Sequence, residues 1–179
     1  MINFTTRRLI IRNFISEDWH DLQSILVDKE ASEYAFTDHP FPTGEHEVKD
    51  ITNWFSQGDS FLAAYETTEK KVIGYIAINS ENHSEYNLGY CFRLAYQDKG
   101  YATEGCAAVV DYVFKTLKAT RFVTGTAKSN ISSCKLLAKL GFKKISEGVE
   151  SIRKDEKGKP IEFIGAHFEL TRDMWNLSK

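Results

Sequence analysis

The 179-residue sequence has no long apolar run, no excess of basic charge and no cysteine pair at ligand spacing. Without an apolar stretch of about 20 residues, no transmembrane helix is expected. The opening Met1-Ile2-Asn3-Phe4-Thr5-Thr6-Arg7-Arg8 is basic but lacks an apolar core, so it does not read as a secretory signal. Twenty-three Lys and Arg against 25 Asp and Glu leave a net charge of −2. That balance argues against a general nucleic-acid binder, which carries a basic excess. The three cysteines, Cys91, Cys106 and Cys134, are odd in number and scattered, as expected of reduced thiols in a cytoplasmic protein. The five histidines form no HxH or HExxH, and His20 and His167 have no partner at metal-ligand spacing. No metal site is expected.

No repeat, low-complexity tract or Pro/Gly-rich linker divides the chain, so residues 1–179 are expected to form a single domain. At this length a domain buries about 70% of the surface exposed by the unfolded chain, and needs no covalent staples. Hydrophobic residues make up 42% of the chain and charged residues 27%, a globular composition.

Alternation over Arg8–Phe14 predicts a strand with Leu9, Ile11 and Asn13 on one face. Ser16 reads as the N-cap of a helix carrying Trp19, Leu22, Ile25 and Leu26. A second helix carries Val48, Ile51, Trp54 and Phe55, and Gly58 ends it. Three strands follow over Phe61–Glu66, Val72–Ile78 and Asn87–Leu94, then a helix from about Ala102 to Leu117. A strand over Arg121–Thr126 and a helix over Ser132–Leu140, closed by Gly141, precede a hairpin of Lys144–Arg153 and Ile161–Leu170. The order is βααβββαβαββ, an α/β (α+β) arrangement.

The chemistry concentrates in the stretch from Tyr90 to Glu104, where an apolar strand runs through a short loop into a helix. Gly100 allows close backbone approach, and Ala102 leaves the helix start uncrowded. The N–H groups of Lys99 to Thr103 would converge at the positive end of a helix dipole, a ready anion site suited to a pyrophosphate. Lys99 could add a point charge and Thr103 a hydroxyl donor. A plain glycine turn with a Thr103 cap is the alternative. No Gly-Lys-Ser/Thr follows and one glycine stands alone, so neither the nucleotide P-loop nor GxGxxG fits.

Gln97-x-x-Gly100-x-Ala102 resembles the Q/R-x-x-G-x-G/A signature of the GNAT acyl-CoA N-acyltransferases. Gly89-Tyr90 before it and Tyr101-Ala102-Thr103-Glu104 after it are similar to the RimJ/RimL-type branch, the ribosomal-protein N-acetyltransferases. So are Thr6-Arg7-Arg8-Leu9-Ile10-Ile11-Arg12, Val72-Ile73-Gly74, Asn130-x-x-Ser133 and Lys139-Leu140-Gly141-Phe142. The segments run in order from Thr5 to about Leu170.

The resemblance implies the GNAT fold, a mostly antiparallel sheet whose central strand pair splays into a V-shaped slot. It implies acetyl-CoA as cosubstrate, its pantetheine paired with the backbone of Tyr90, Cys91 and Phe92. The pyrophosphate would rest on Asp98, Lys99, Gly100, Tyr101, Ala102 and Thr103, with Asn130 on the pantetheine arm. A backbone N–H near Phe92 would polarise the thioester carbonyl. Plain core packing is the alternative for the side chains of Cys91 and Phe92.

The implied reaction is direct attack of a primary amine on the thioester, without an acyl-enzyme. An alkyl ammonium titrates near ~10, so a base must take its proton. The family carboxylate eleven residues before the signature Gln is here Tyr86, with Glu85 beside it; a family tyrosine is replaced by Leu137. Glu85 and Glu150 are the candidate bases. Ser133 either faces the departing sulfur, as in the branch resembled, or caps the helix. Cys134 reads as a packed helix residue. Phe36, Asp38 and His39, with Glu147 and Glu150 on the hairpin, are candidates to receive the acceptor. The acceptor is expected to be a peptide N-terminus or a small amine such as a polyamine, amino sugar or aminoglycoside. A non-catalytic acyl-CoA-binding module is the rival expectation, and either a monomer or a homodimer fits.

Overall fold

The computed structural model describes residues 1–80, 82 and 84–177. Eight strands form one sheet: β1 (Asn3–Thr5), β2 (Leu9–Asn13), β3 (Phe61–Glu66), β4 (Lys71–Ser80), β5 (Glu85–Phe92), β6 (Arg121–Ala127), β7 (Lys143–Lys154) and β8 (Pro160–Thr171). The helices are α1 (Trp19–Glu30), α2 (Glu45–Ser56), α3 (Tyr101–Lys115), α4 (Ile131–Lys139) and α5 (Arg172–Leu177). The spatial order is β1-β2-β3-β4-β5-β6-β8-β7. Every neighbouring pair is antiparallel except β5 and β6. The expected GNAT arrangement is present, with β1 and α5 added at its ends. Among the described residues, no helix is long and apolar enough to cross a membrane.

Burial explains why β4 sits at the centre. Val72 to Ile78 are all buried, since helices cover both faces of that strand. Ile73, Ile76 and Ile78 join the core under α3 with Leu9, Ile11, Val109, Val113 and Phe122. Val72 and Tyr75 join the core under α1 and α2 with Leu22, Ile25, Val48 and Phe55. Gly74 is obligatory in this packing: a Cβ there would lie 2.5 Å from the ring of Phe92.

Two helix expectations are corrected. Ser16 is not the N-cap of α1, because a 3₁₀ turn over Ser16–Asp18 precedes it. Asp18 Oδ2 accepts the Ile15 N–H at 2.9 Å, and the same carboxylate is held by Arg12 at 2.6 Å. On α2 the buried positions are Val48, Thr52 and Phe55, while Trp54 is 58% exposed. Gly141 closes α4 as expected, with φ of +89°. The N–H of Phe142 donates back to Leu137 O at 3.0 Å across it.

Candidate active site

The site begins where a ladder stops. β5 and β6 pair in parallel at Glu85↔Arg121 and Tyr86↔Phe122, and no backbone pairing follows. Two side chains bridge the next step: Asn87 Nδ2 donates to Val123 O at 3.1 Å and Thr124 Oγ1 to Leu88 O at 2.7 Å. Beyond them the strands part and form the expected slot.

Strand alternation settles which backbone groups line it. Leu88 O faces β6, so the N–H and C=O of Tyr90 and Phe92, two and four residues on, face the same way. Cys91 is turned to β4, where it pairs with Tyr75. Of the expected backbone trio, Tyr90 and Phe92 remain. Gln97 Nε2 donates to Phe92 O at 3.1 Å, which fixes the strand end as the chain turns toward α3.

That turn carries two positive φ angles, +56° at Asp98 and +81° at Gly100. Gly100 is the N-cap of α3 without a side-chain cap, so the first-turn N–H groups of Tyr101, Ala102 and Thr103 face outward without an intrahelical acceptor. Arg8, just before β2, clamps the turn. Its Nη1 donates to Lys99 O at 3.0 Å, its guanidinium lies 4.0 Å from the centre of the Tyr101 ring, and its Nε meets Glu104 at 2.7 Å. Glu104 also accepts from Thr6 Oγ1 at 2.6 Å and from the Arg8 N–H at 2.7 Å. Burial opposes ionisation of Glu104, but these donors outweigh it and hold the carboxyl below its ordinary value. The backbone N–H groups at the helix start are thus open toward solvent, while the Glu104 carboxylate is turned away into its own donors.

The wall beside α4 supplies hydroxyls. Asn130 caps α4, its Oδ1 accepting the Ser133 N–H at 3.1 Å. Ser133 is therefore not the cap, and its Oγ lies 2.8 Å from Tyr90 Oη. Burial pushes the Tyr90 hydroxyl well above its ordinary pKa, further than the Ser133 contact draws it down, so it stays protonated. The sequence pointed to the backbone of Tyr90 and missed this side chain. The signal was the spacing of alternate strand residues, which places Tyr86, Leu88, Tyr90 and Phe92 on the α3–α4 face.

Glu85 lies away from this chemistry. It sits where β5 and β6 are still paired, and Arg121 engages its Oε2 at 2.6 Å. Phe92 is seven residues further on, about 23 Å along the strand.

The residues expected to receive the acceptor lie on the opposite face of the sheet. Ala166, Phe168 and Leu170 of β8 point into the α3–α4 core, so Phe163, Gly165 and His167 point the other way. The turn over Ala35–Thr37 packs there, with the Phe36 ring edge-on to Phe163 at 5.9 Å. Asp38 pairs with Lys29 at 3.2 Å, and its carbonyl accepts from Arg153 Nε at 2.7 Å. His39 gives its carbonyl to Lys29 Nζ at 2.8 Å. Glu150 reaches over Gly165 to His167, Oε1 to Nε2 2.6 Å. Sequence spacing, which tests His167 only for a metal, could not show this pair, because the β7–β8 register creates it.

Comparison with known proteins agrees with this geometry. Residues 8–143 match the family model described as an acetyltransferase (GNAT) domain. The Bacillus subtilis N-acetyltransferase YnaD is 28% identical over 149 residues, covering 80% of this chain and 84% of that protein. The Escherichia coli [ribosomal protein uS5]-alanine N-acetyltransferase is 26% identical over 160 residues, with 80% and 79% covered. A crystal structure of a GNAT-family acetyltransferase from Bacillus anthracis superposes with a TM-score of 0.81 at 21% identity, over 96% of this chain and 99% of that one. With its family signature lying on the turn that opens α3 and its central strands parted, the chain belongs to the GNAT family of N-acetyltransferases.

Proposed function

We propose that this enzyme moves an acetyl group from acetyl-CoA directly to the α-amino group of a peptide, within a ternary complex in the cytoplasm. The observation that carries the reading is the parting of β5 and β6 beyond Tyr86 and Phe122, which connects a hydroxyl-lined wall on one face to the acceptor side on the other.

Acetyl-CoA supplies an activated thioester. The residues present suit it: an outward-facing helix start at Gly100 for the pyrophosphate, and backbone polar groups of Tyr90 and Phe92 for the pantetheine amides. The Phe92 N–H is the donor for the thioester oxygen, fixed in place before charge develops there. Either hydroxyl of the Tyr90–Ser133 pair can donate; with Tyr90 as the donor, the Ser133 proton is left for the departing sulfur. A cysteine nucleophile is disfavoured, because burial pushes the Cys91 thiol up to about 12 and also raises Cys106 and Cys134.

The acceptor class follows from charge. A polyamine needs several unmatched carboxylates. Here Glu30 is matched by Arg153 at 2.8 Å, Asp38 by Lys29 at 3.2 Å, and Glu147 by Lys128 at 2.6 Å and Lys144 at 2.5 Å. A single amine needs none of them. An α-amino group also titrates near ~8, far closer to neutrality than an alkyl amine, so less work is needed to deprotonate it. The name of the Escherichia coli relative, which specifies an alanine of a ribosomal protein, supports the same choice.

The test is acceptor-dependent thiol release from acetyl-CoA, with peptides beginning Ala, Ser or Met set against polyamines and aminoglycosides. Release with peptides alone is expected. Release with polyamines alone would replace the acceptor class, and tight binding with no release from any amine would favour a binding module. Absence of acetyl-CoA binding in calorimetry would overturn the reading as a whole.

A further inference from the structure

Three observations converge on the imidazole of His167. Its Nε2 lies 2.6 Å from Glu150 Oε1. That approach exists only because residue 165 is glycine, where a Cβ would lie 2.5 Å from the Glu150 carboxylate. The other ring nitrogen is turned toward β6: Nδ1 stands 3.4 Å from the place a Cβ would take on Gly125, and Cε1 3.7 Å from it. Gly125 is also the cross-strand partner of His167. Finally, continuing the parallel register from Tyr86↔Phe122 brings Gly89 of β5 level with Gly125. Two glycines thus face each other across the widening slot, on the face where His167 lies. No side chain from either position stands between the imidazole and the gap.

We propose that His167 is the base that takes the proton from the attacking amine, and that Glu150 is the positioning residue that fixes its tautomer. The inference rests on the amine-acetylating reading above. With Nε2–H donating to the carboxylate, the lone pair resides on Nδ1, the nitrogen facing Gly125 and the slot. An acceptor ammonium gives one proton to Nδ1, and the carboxylate stabilises the imidazolium that results. The nitrogen then bonds to the acyl carbon as the carbon–sulfur bond breaks. It sheds a second proton to solvent, while the departing thiolate takes one from Ser133, which solvent then restores. His167, about a third exposed, returns the first proton to solvent. The net products are an amide, a thiol and one released proton.

The reading explains how this chain dispenses with the carboxylate that its family signature places at Tyr86. The proton acceptor has moved from β5 to β8, and the same slot separates it from the thiolate donor. Ser133 and Tyr90 serve the sulfur from one face, while His167 and Glu150 serve the nitrogen from the other.

Two measurements test it. His167→Ala should lower kcat with the best peptide about a hundred-fold, leave the acetyl-CoA Kd within two-fold, and regain activity when free imidazole is added. Turnover within three-fold of wild type, or a loss that imidazole does not restore, would overturn the proposal. The second needs neither acetyl-CoA nor acceptor. Long-range ¹⁵N–¹H spectra of histidine-labelled protein should show neutral His167 as the Nε2–H tautomer in wild type and a changed tautomer ratio in Glu150→Ala. A dominant Nδ1–H form, or a ratio indifferent to Glu150, would overturn it. Failure of the parent reading looks different, as wild-type enzyme would then release no thiol with any peptide.

Discussion

The hydroxyls of Tyr90 and Ser133 lie 2.8 Å apart and join β5 to α4 beside the slot. Because Asn130 already caps α4, Ser133 is released from the duty that its position in the first helical turn would suggest. Relieved of capping and paired to a buried, protonated tyrosine, Ser133 is the donor proposed here for the departing thiolate.

Removing either member should therefore cost turnover more than affinity. Ser133→Ala is expected to lower kcat on the order of 10²-fold, and Tyr90→Phe about 10-fold, with the acetyl-CoA Kd nearly constant. The double variant should be no slower than Ser133→Ala, since Tyr90 acts through Ser133. Steady-state kinetics beside calorimetry checks this. Additive losses would mean that the two hydroxyls act separately.

Gly100 offers a test of the anion cradle. Its φ of +81° disfavours any side chain, at a cost of about 1–3 kcal/mol. Gly100→Ala carries that strain alone, whereas Gly100→Asp adds a negative charge at the helix start. The aspartate variant should lose at least ten-fold more acetyl-CoA affinity than the alanine variant, with similar melting temperatures. Equal affinities would remove the pyrophosphate from this turn.

Glu104 ties the start of α3 to the β1–β2 connection, and its depressed pKa gives the fold a defined acid response. The folded value lies below the ordinary 4.5, so the stabilisation is complete above that pH and is lost as pH falls through the folded value. Glu104→Gln should destabilise the protein by about 1–3 kcal/mol at neutral pH, since hydrogen bonds to a charged group are lost. The gap between variant and wild-type melting temperatures should close as pH drops from 6 to about 3. A gap independent of pH would show that the carboxylate charge contributes nothing.

The fold was legible because its elements are encoded locally. Continuous burial marks β4, a glycine at positive φ closes α4, and a charged turn separates β7 from β8. The turn that opens α3 was legible for the same reason, since Gln97 to Thr103 form one contiguous stretch. What stayed hidden depends on register between distant strands. The Glu150–His167 pair joins residues on two strands whose ladder shifts at a bulge between Lys144 and Ser146, and no spacing rule reports such a shift. Trp54 misled for a different reason. Grouped by sequence with Val48, Ile51 and Phe55, it lies on the outer flank of an aromatic cluster, 5.3 Å from both Phe55 and Phe61.

Arg153 links the hairpin to the acceptor loop and should govern acceptor binding alone. It forks onto Glu30 at 2.8 and 3.1 Å and donates to Asp38 O at 2.7 Å, so one guanidinium sets where the segment from Phe36 to His39 lies over β7 and β8. Burial works against a charged Glu30, but Arg153 and the Phe41 N–H together hold its carboxyl below its ordinary value. Arg153→Ala leaves that carboxylate with its smaller partners and frees the loop from the hairpin. The KM for a peptide acceptor should rise about ten-fold, while the acetyl-CoA Kd, set on the other face of the sheet, should not change. Arg153→Lys should recover only part of the loss, because an ammonium cannot present the planar fork that meets both Glu30 oxygens. An unaltered peptide KM in the alanine variant would place the acceptor elsewhere than beneath this loop.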